Sequence, residues 1–278
     1  MGRLTAVALT FDVDCQAYVG GTTRPMLEEL EVALDALGPL FERHPGWRAT
    51  WFLRIDPEVD QFAQQTSLLA PLLAAGHEIG WHYHGPLKRI REYAREARRR
   101  ALDASRIGFG RCSNQVMRTL AAAGFDLDST AMPRPAYPWS RRGVDWSISP
   151  QTPYRPSVAD YRIPGHPSLP IVEVPISCTL VRAPGDNQEV IRYVNPAYHP
   201  QLFSASLGQW LAGRQELVTI THPYELCGGR AHDLLSFRAR AFEENVEAIE
   251  RGAGTRGSCT FTGLNELARR SSLEAAGA

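Results

Sequence analysis

The sequence predicts an α/β fold in which a parallel sheet closes, or nearly closes, into a barrel. Two observations support this prediction. Runs rich in β-forming residues alternate with runs of helical periodicity along most of the 278 residues. About seven such β/α units can be counted, and this number favours a barrel over an open, doubly wound sheet. In barrels of this kind, the functional side chains lie at the carboxyl ends of the strands.

The first units show the alternation clearly. Residues 5–14 (TAVALTFDVD) form a β-rich run that ends in acids. Residues 25–44 have helical periodicity and begin with a proline, which favours a helix start. Residues 48–55 (RATWFLRI) predict the second strand, and residues 60–76 predict a helix that ends at a glycine.

The middle of the chain continues the pattern. Residues 77–84 (HEIGWHYH) predict the third strand, and a strongly basic helix follows over 88–105. The short run 107–110 (IGFG) predicts strand four, 114–124 a helix, and 125–130 (FDLDST) strand five.

The alternation is interrupted at residues 131–170, which are rich in proline, arginine and aromatic residues. Because aromatic side chains are poorly placed in water, we expect an ordered insertion here rather than a linker. We expect a single domain over residues 1–270 and a flexible tail over 271–278. After the insertion, strands are predicted at 171–177, 216–223 and 259–263, and helices at 201–213, 232–252 and directly after the last strand.

Composition excludes several classes of protein. The formal net charge is zero, so neither a nucleic-acid partner nor an acidic membrane surface is indicated. The chain has no apolar run long enough to span a membrane, and its first residues do not resemble a signal peptide. The five cysteines are scattered without a C-x-x-C pair, which suits reduced thiols. We therefore expect a cytoplasmic protein; the sequence does not indicate its oligomeric state.

Two predicted strands end in pairs of residues that can bind a metal ion. Asp12 and Asp14 are two positions apart, so both point to the same face of strand one. His82 and His84 have the same spacing at the end of strand three. Two imidazoles and a carboxylate form a common zinc site with a position left open for water. Taken separately, each pair could equally be an ordinary solvated strand end.

Other strand ends carry residues suited to proton transfer and charge stabilisation. His222 ends the β-branched run before Pro223, and a histidine can deliver a proton to a leaving amine near neutral pH. Arg106 and Arg111 flank the predicted fourth strand, where an arginine can hold a catalytic aspartate ionised. The alternatives are a turn histidine and an ordinary arginine at a helix end.

The order of these segments resembles the polysaccharide deacetylase family, also known as the NodB-homology or carbohydrate esterase 4 group. The likeness rests on Thr10–Asp14 (TFDVD), on the lead-in Gly76–His82 (GHEIGWH), and on the arginine in RIGFG. It also rests on Gly124–Thr130 (GFDLDST) and on Val218–His222 (VTITH). The resemblance covers about residues 5–267 and implies a distorted (β/α)7-type barrel that uses a divalent metal, usually zinc.

The resemblance also implies roles for individual residues. It makes Asp12 the general base, Arg106 the residue that tethers it, and His222 the general acid. It makes Asp14 and His82 metal ligands. The family's second metal histidine usually follows the first by four positions, but that position here is a proline. His84 is the nearby replacement, and the strand argument places it on the same face as His82. No residue is assigned to an organic cofactor.

The implied activity is metal-dependent hydrolysis of an N-acetyl or similar N-acyl group on a small amino sugar or a sugar-containing biosynthetic intermediate. Three alternatives remain open: hydrolysis of a cyclic amide or imide, hydrolysis of an ester, and a non-catalytic carbohydrate-binding barrel. The 131–170 insertion could act as a lid that recognises a sugar through its arginines and aromatic rings. It could equally close a gap in the barrel or form a subunit contact.

Overall fold

The computed structural model describes residues 6–14, 25–133, 145–182, 187–211, 216–227, 239–254 and 259–276. Within these ranges an eight-stranded parallel sheet curls into a half-barrel with helices around it. The parallel strands are β1 (Ala6–Val13), β2 (Ala49–Arg54), β3 (Glu78–Tyr83), β4 (Ala104–Ile107), β5 (Leu127–Asp128), β6 (Val172–Glu173), β9 (Glu216–Val218) and β10 (Thr260–Phe261). The helices are α1 (Met26–Arg43), α2 (Phe62–Ala74), α3 (Ile90–Arg99), α4 (Asn114–Ala123), α5 (Pro200–Leu211), α6 (Ala239–Gly254) and α7 (Leu264–Ala276).

The strand order confirms the predicted distorted barrel. Strands β1 to β6 pair in sequence, while β9 and β10 both pair with β1. The gap between β6 and β9 is crossed at Ser177, just after β6. Its amide donates to the Val218 carbonyl at 2.9 Å, and its hydroxyl accepts from the Val218 amide at 2.9 Å. The sheet is therefore nearly closed.

The alternation of side chains along β1 separates the core from the site. Phe11 and Val13 belong to the outer hydrophobic cluster that packs against helices such as α1 and α6. The intervening side chains of Thr10, Asp12 and Asp14 turn into the half-barrel and are all buried. At the opposite end of the interior, apolar side chains of the strands pack against α7 and close the barrel floor. One strand thus contributes both to the packing and to the candidate site.

The structure corrects the predicted fourth strand. The strand is Ala104–Ile107, so Arg106 lies inside β4 and not before it. Residues Gly108–Gly110 form a short 3-10 turn. Phe109 and Gly110 have φ values of +60° and +63°, which a β-strand cannot accommodate, so the chain leaves the sheet at Gly108.

Other elements differ from the prediction. An antiparallel hairpin of β7 (Cys178–Val181) and β8 (Val190–Tyr193) was not predicted. Helix α7 runs to Ala276, well into the expected tail, because that segment is rich in good helix formers. Residues 277–278 and the first part of the predicted helix 232–252, residues 232–238, lie outside the described residues.

Residues 145–170 of the insertion pack against the outside of the barrel. The Asn114 side chain on α4 donates to the Ala159 carbonyl at 2.7 Å and accepts from the Tyr161 amide at 2.8 Å. Trp146 is buried and its ring meets that of Tyr161 edge to face at 4.9 Å. This part of the insertion therefore packs against α4 through these contacts.

No helix among the described residues is both long and apolar enough to cross a membrane. Cys112, Cys178, Cys227 and Cys259 form no disulfide within the described part of the chain. Cys15 lies outside the described residues.

Candidate active site

A cavity of about 490 Å³ opens at the carboxyl ends of the strands. It is lined by all six residues that the sequence predicted for the site, which are Asp12, Asp14, His82, His84, Arg106 and His222. They come from β1, β3, β4 and the segment after β9, so the fold gathers residues that are up to about two hundred positions apart.

The register of the sheet sets the positions of these side chains. Arg54 on β2 pairs with His82 on β3, and His82 pairs with Arg106 on β4. Neighbouring residues in such a row point to the same side of a parallel sheet. Two arginines therefore flank the first histidine inside the half-barrel.

Asp14, His82 and His84 form a candidate metal centre. Each offers one ligand atom, and these atoms all lie within 4.8 Å of one another. The Nε2 atoms of the two histidines are 2.7 Å apart, and His84 Nε2 is 3.1 Å from Asp14 Oδ2. Two imidazole nitrogens and a carboxylate oxygen facing one point form the donor set of a catalytic zinc site.

The protonation states of the histidines suit metal binding. Burial, together with the neighbouring His84, holds the pKa of His82 well below its usual value. Burial also lowers the pKa of His84 to about 4, against the opposing effect of Asp14. Both rings are therefore neutral at pH 7, as ligands must be. His82 Nδ1 lies 3.1 Å from the Arg106 carbonyl oxygen, an acceptor that leaves Nε2 as the lone-pair atom. The residues present thus fit a divalent ion.

Asp14 is held by a residue that the sequence analysis did not single out. Arg54 is buried, and its Nη1 donates to Asp14 Oδ1 at 2.7 Å. Its Nε donates to Asp56 Oδ2 at 2.7 Å. Burial alone would raise the pKa of Asp14, but His84, His82 and Arg54 outweigh it and lower the pKa. Arg54 therefore keeps Asp14 ionised and leaves its Oδ2 facing the histidines.

Asp12 is held by Arg106. Arg106 Nη1 donates to Asp12 Oδ1 at 2.7 Å and to Thr10 Oγ1 at 2.7 Å. The rest of the guanidinium donates to the Ser129 carbonyl and hydroxyl, each at 2.8 Å. Arg106 is 2% exposed, so this ion pair is shielded from water. Asp12 Oδ2 lies 3.8 Å from His82 Nε2, at the edge of the candidate metal centre.

His222 lines the same cavity and lies beside the carboxylate of Glu225. Its Nδ1 is 3.4 Å from Glu225 Oε1, and its amide donates to Glu225 Oε2 at 2.8 Å. Asn195 Nδ2 also donates to Glu225 Oε2 at 2.8 Å. Burial disfavours the charged imidazole, but Glu225, with smaller contributions from Asp12 and Asp14, outweighs it and raises the pKa of His222 to about 9. His222 is therefore protonated at neutral pH.

The walls of the cavity are largely apolar. Ile176 and Ile220 line it and belong to a buried cluster with the β7–β8 hairpin, and Ile107 lines it too. Tyr224 stacks on the His222 ring at 5.0 Å, and Tyr193 meets the same ring at 6.4 Å. Charged side chains of the described residues thus gather at the strand ends, while the walls suit an apolar or ring-shaped group.

Of the described part of the 131–170 insertion, Met132 lines the cavity, and residues 145–170 lie away from it. Within residues 145–170, Arg162 is paired with Asp145 and Asp160 at 2.7 and 2.9 Å. Three other arginines of the insertion, Arg134, Arg141 and Arg142, lie outside the described residues.

Two supporting groups escaped the sequence analysis. Arg54 could have been found, because it is a charge at the end of an apolar strand that lies between the two strands carrying the ligands. Glu225 and Asn195 carry no such signal. Asn195 is joined to Thr221 Oγ1 at 2.9 Å, and only the fold brings these residues to His222.

This fold and site define a distorted α/β barrel with a carboxylate–histidine cluster at its strand ends. Solved structures confirm the predicted likeness of fold to polysaccharide deacetylases. A Mycobacterium smegmatis protein, provisionally described as a polysaccharide deacetylase, is 20% identical with a TM-score of 0.63, over 99% of this chain and 92% of that one. A Parabacteroides distasonis protein, provisionally described as a glycoside hydrolase/deacetylase, is 13% identical with a TM-score of 0.65, over 96% and 70%. No protein-family model matches the sequence, and a search of curated proteins finds no match.

Proposed function

We propose that this protein is a metal-dependent amide hydrolase that removes an N-acetyl or similar N-acyl group from an amino sugar or a sugar-containing intermediate. One observation carries the proposal. A neutral His82–His84 pair and Asp14 converge on one point, and the Asp12–Arg106 pair and a protonated His222 line the same cavity. Together they can supply a metal ion, a general base and a general acid for amide hydrolysis.

Asp14, His82 and His84 would hold the metal, and Zn²⁺ matches their donor atoms best. When bound, such an ion supplies a Lewis acid that polarises the acyl oxygen and lowers the pKa of water. Arg54 holds Asp14 Oδ1, and Asp14 Oδ2 is the oxygen that faces the histidines.

Asp12 acts as the general base on the attacking water. Arg106 holds Asp12 Oδ1, so Oδ2 is the oxygen available to accept the proton. Because Arg106 is anchored by Thr10 and Ser129, the carboxylate has a fixed direction. General-base catalysis of this kind contributes about 10²–10⁴-fold to the rate.

His222 acts as the general acid on the leaving nitrogen. An amine is a poor leaving group unless it is protonated as the C–N bond breaks. Glu225 supports this role in two ways, because it holds the backbone of His222 and stabilises the charged imidazole. His222 and Asp12 line the same cavity, so both can reach one substrate.

The cavity walls support a compact substrate. The faces of Tyr193 and Tyr224 are suited to stacking on a sugar ring, and the isoleucine walls are suited to an acyl group. The two neighbouring structures are provisionally described as a polysaccharide deacetylase and a glycoside hydrolase/deacetylase, and these descriptions agree with a carbohydrate substrate. The same apolar walls favour a small cyclic amide as the second candidate substrate.

The decisive experiment measures metal content and product release together. The purified protein is expected to carry about one divalent ion per chain and to release acetate from a panel of N-acetylated sugars. Chelation should abolish turnover, and adding Zn²⁺ back should restore it. Ring opening of a cyclic amide without acetate release would favour the second candidate. Sugar binding that is unaffected by chelation, with no turnover, would instead indicate a carbohydrate-binding barrel and refute the proposal.

A further inference from the structure

The position of His84 needs an explanation beyond its own strand. Strand β3 ends at Tyr83, and the last pair of its ladder with β4 is Tyr83 with Ile107. His84 therefore follows the last paired residue, yet it is largely buried and its Nε2 faces Asp14 and His82. Contacts from outside β3 must hold its ring in place.

The turn that follows β4 supplies these contacts. Gly108 lies so close to the His84 ring that a Cβ at this position would stand 2.3 Å from His84 Nε2 and 2.4 Å from Cδ2. Real Cβ atoms essentially never approach other atoms so closely, so any side chain here would displace the imidazole. Phe109 meets the same ring edge to face at 4.7 Å and adopts a φ of +60°, which is costly for a bulky residue.

The same turn holds the backbone of His84. Arg111 Nη2 donates to the carbonyl oxygens of His84 at 2.6 Å and Gly85 at 3.2 Å. Its guanidinium also lies 5.5 Å from the Phe109 ring centroid. The imidazole and the peptide of His84 are thus both held by residues 108–111.

The insertion braces this turn. Trp146 Nε1 donates to the Gly110 carbonyl at 2.9 Å, and the indole is buried. A chain of contacts therefore runs from the insertion through Gly110 to Phe109 and Arg111, and from them to His84.

We infer that the 108–111 turn is the element that positions His84 as a metal ligand, with Gly108 and Arg111 as the positioning residues. This inference rests on the proposed function, because it assumes that the Asp14–His82–His84 centre binds a metal. His84 lies two residues after His82 and beyond the end of β3. The turn holds it where it can still act as a metal ligand.

The test measures metal affinity directly, by competition between the full-length protein and a chromophoric Zn²⁺ chelator. Gly108→Ala and Arg111→Ala should each weaken Zn²⁺ binding by about 10–100-fold, the usual effect of removing a group that orients a ligand. Two matched controls should bind Zn²⁺ like the wild type. In Gly38→Ala the added Cβ meets nothing within 4 Å, and Arg118→Ala removes a comparable arginine bond to the Val158 carbonyl.

A double-mutant cycle separates positioning from general destabilisation. Arg111→Ala should weaken Zn²⁺ binding in the wild type but have no further effect when His84 is already alanine, because Arg111 holds the His84 peptide and affects the metal only by positioning the His84 side chain. The visible absorption of bound Co²⁺ should also change in Arg111→Ala towards that of His84→Ala. If Gly108→Ala does not fold, the Arg111 cycle decides alone.

The outcomes distinguish two failures. Wild-type protein that binds no Zn²⁺ would refute the proposed metal centre itself. Wild-type protein that binds Zn²⁺, with unchanged affinity in both turn variants or an equal loss in the His84→Ala background, would overturn the role of the turn and leave the metal centre intact.

Discussion

Replacing Asp12 by asparagine should separate the general base from the metal ligands. The substitution keeps an oxygen that can accept the 2.7 Å bond from Arg106 Nη1, but it removes the charge that takes up a proton. Asp12 is not one of the three residues whose ligand atoms converge, so the metal should stay. We expect turnover to fall by about a hundredfold or more, equivalent to about 2.7 kcal/mol in the activation barrier.

The structure also bounds the effect of this substitution on stability. Arg106 keeps its bonds to Thr10 and Ser129, so the guanidinium remains anchored. The substitution nevertheless leaves a buried guanidinium without this counter-charge, and breaking a buried ion pair costs up to about 3–5 kcal/mol. At about 2–4 °C per kcal/mol for a domain near this size, Tm should fall by up to about 20 °C. The Tm of the variant is therefore measured first, and turnover is measured below it.

Steady-state acetate release and metal content by mass spectrometry, measured on the same preparation, test this expectation. Asp14→Asn is the matched comparison, because it makes the same chemical change two residues away and should lose metal. Normal turnover in Asp12→Asn would refute the assignment of Asp12 as the base. Loss of metal in Asp12→Asn would make Asp12 a ligand instead.

Two further predictions concern His222. His222→Ala should lose far more activity on an amide than on an ester with a low-pKa leaving group, because that group departs without protonation; equal losses at unchanged metal content would instead indicate substrate binding. Burial disfavours the His222 cation, but Glu225 outweighs burial and raises the pKa of His222 to about 9. Glu225→Gln should therefore lower the pKa of His222. The alkaline limb of the pH–rate profile should then shift to lower pH. If the alkaline limb does not shift in Glu225→Gln, a group other than His222 controls the loss of activity at high pH. Because the pKa of His222 is higher in the folded protein than in the unfolded chain, the charged imidazole stabilises the fold. This contribution to the free energy of unfolding is complete below about pH 6.5 and is lost as the pH rises through about 9.

Much of the fold could be predicted from the sequence because the barrel units have strong local signals. The helix at Met26–Arg43 and the strand at Ala6–Val13 follow from periodicity and β-branched content, and both appear close to their predicted bounds. The fourth strand was misplaced because IGFG is apolar and β-like in composition. The positive φ values at Phe109 and Gly110 depend on contacts with His84, Arg111 and Trp146, which no local pattern encodes.

The sequence also predicted which residues would lie together in the site. Residues at the carboxyl ends of parallel strands meet at one edge of the sheet, so the sequence alone placed Asp12, His82 and His222 together. The residues that position these side chains could not be predicted, because their contacts depend on strand register and on the conformation of loops. Arg54 reaches Asp14 only because β1 and β2 are adjacent in this sheet, and Glu225 reaches His222 through a turn beyond β9.

The central place of β1 in the sheet has a consequence for how the protein forms. This strand, near the start of the chain, pairs with β2 soon after it but also with β9 and β10 from the last quarter. Pairings between such distant segments close large loops and slow folding. During synthesis one side of β1 stays without its partners until residues beyond 216 have been made. Asp12 and His222, the proposed base and acid, can therefore meet only after β9 has been made, and a chain that stops before β9 would carry the candidate metal ligands without the proposed proton donor.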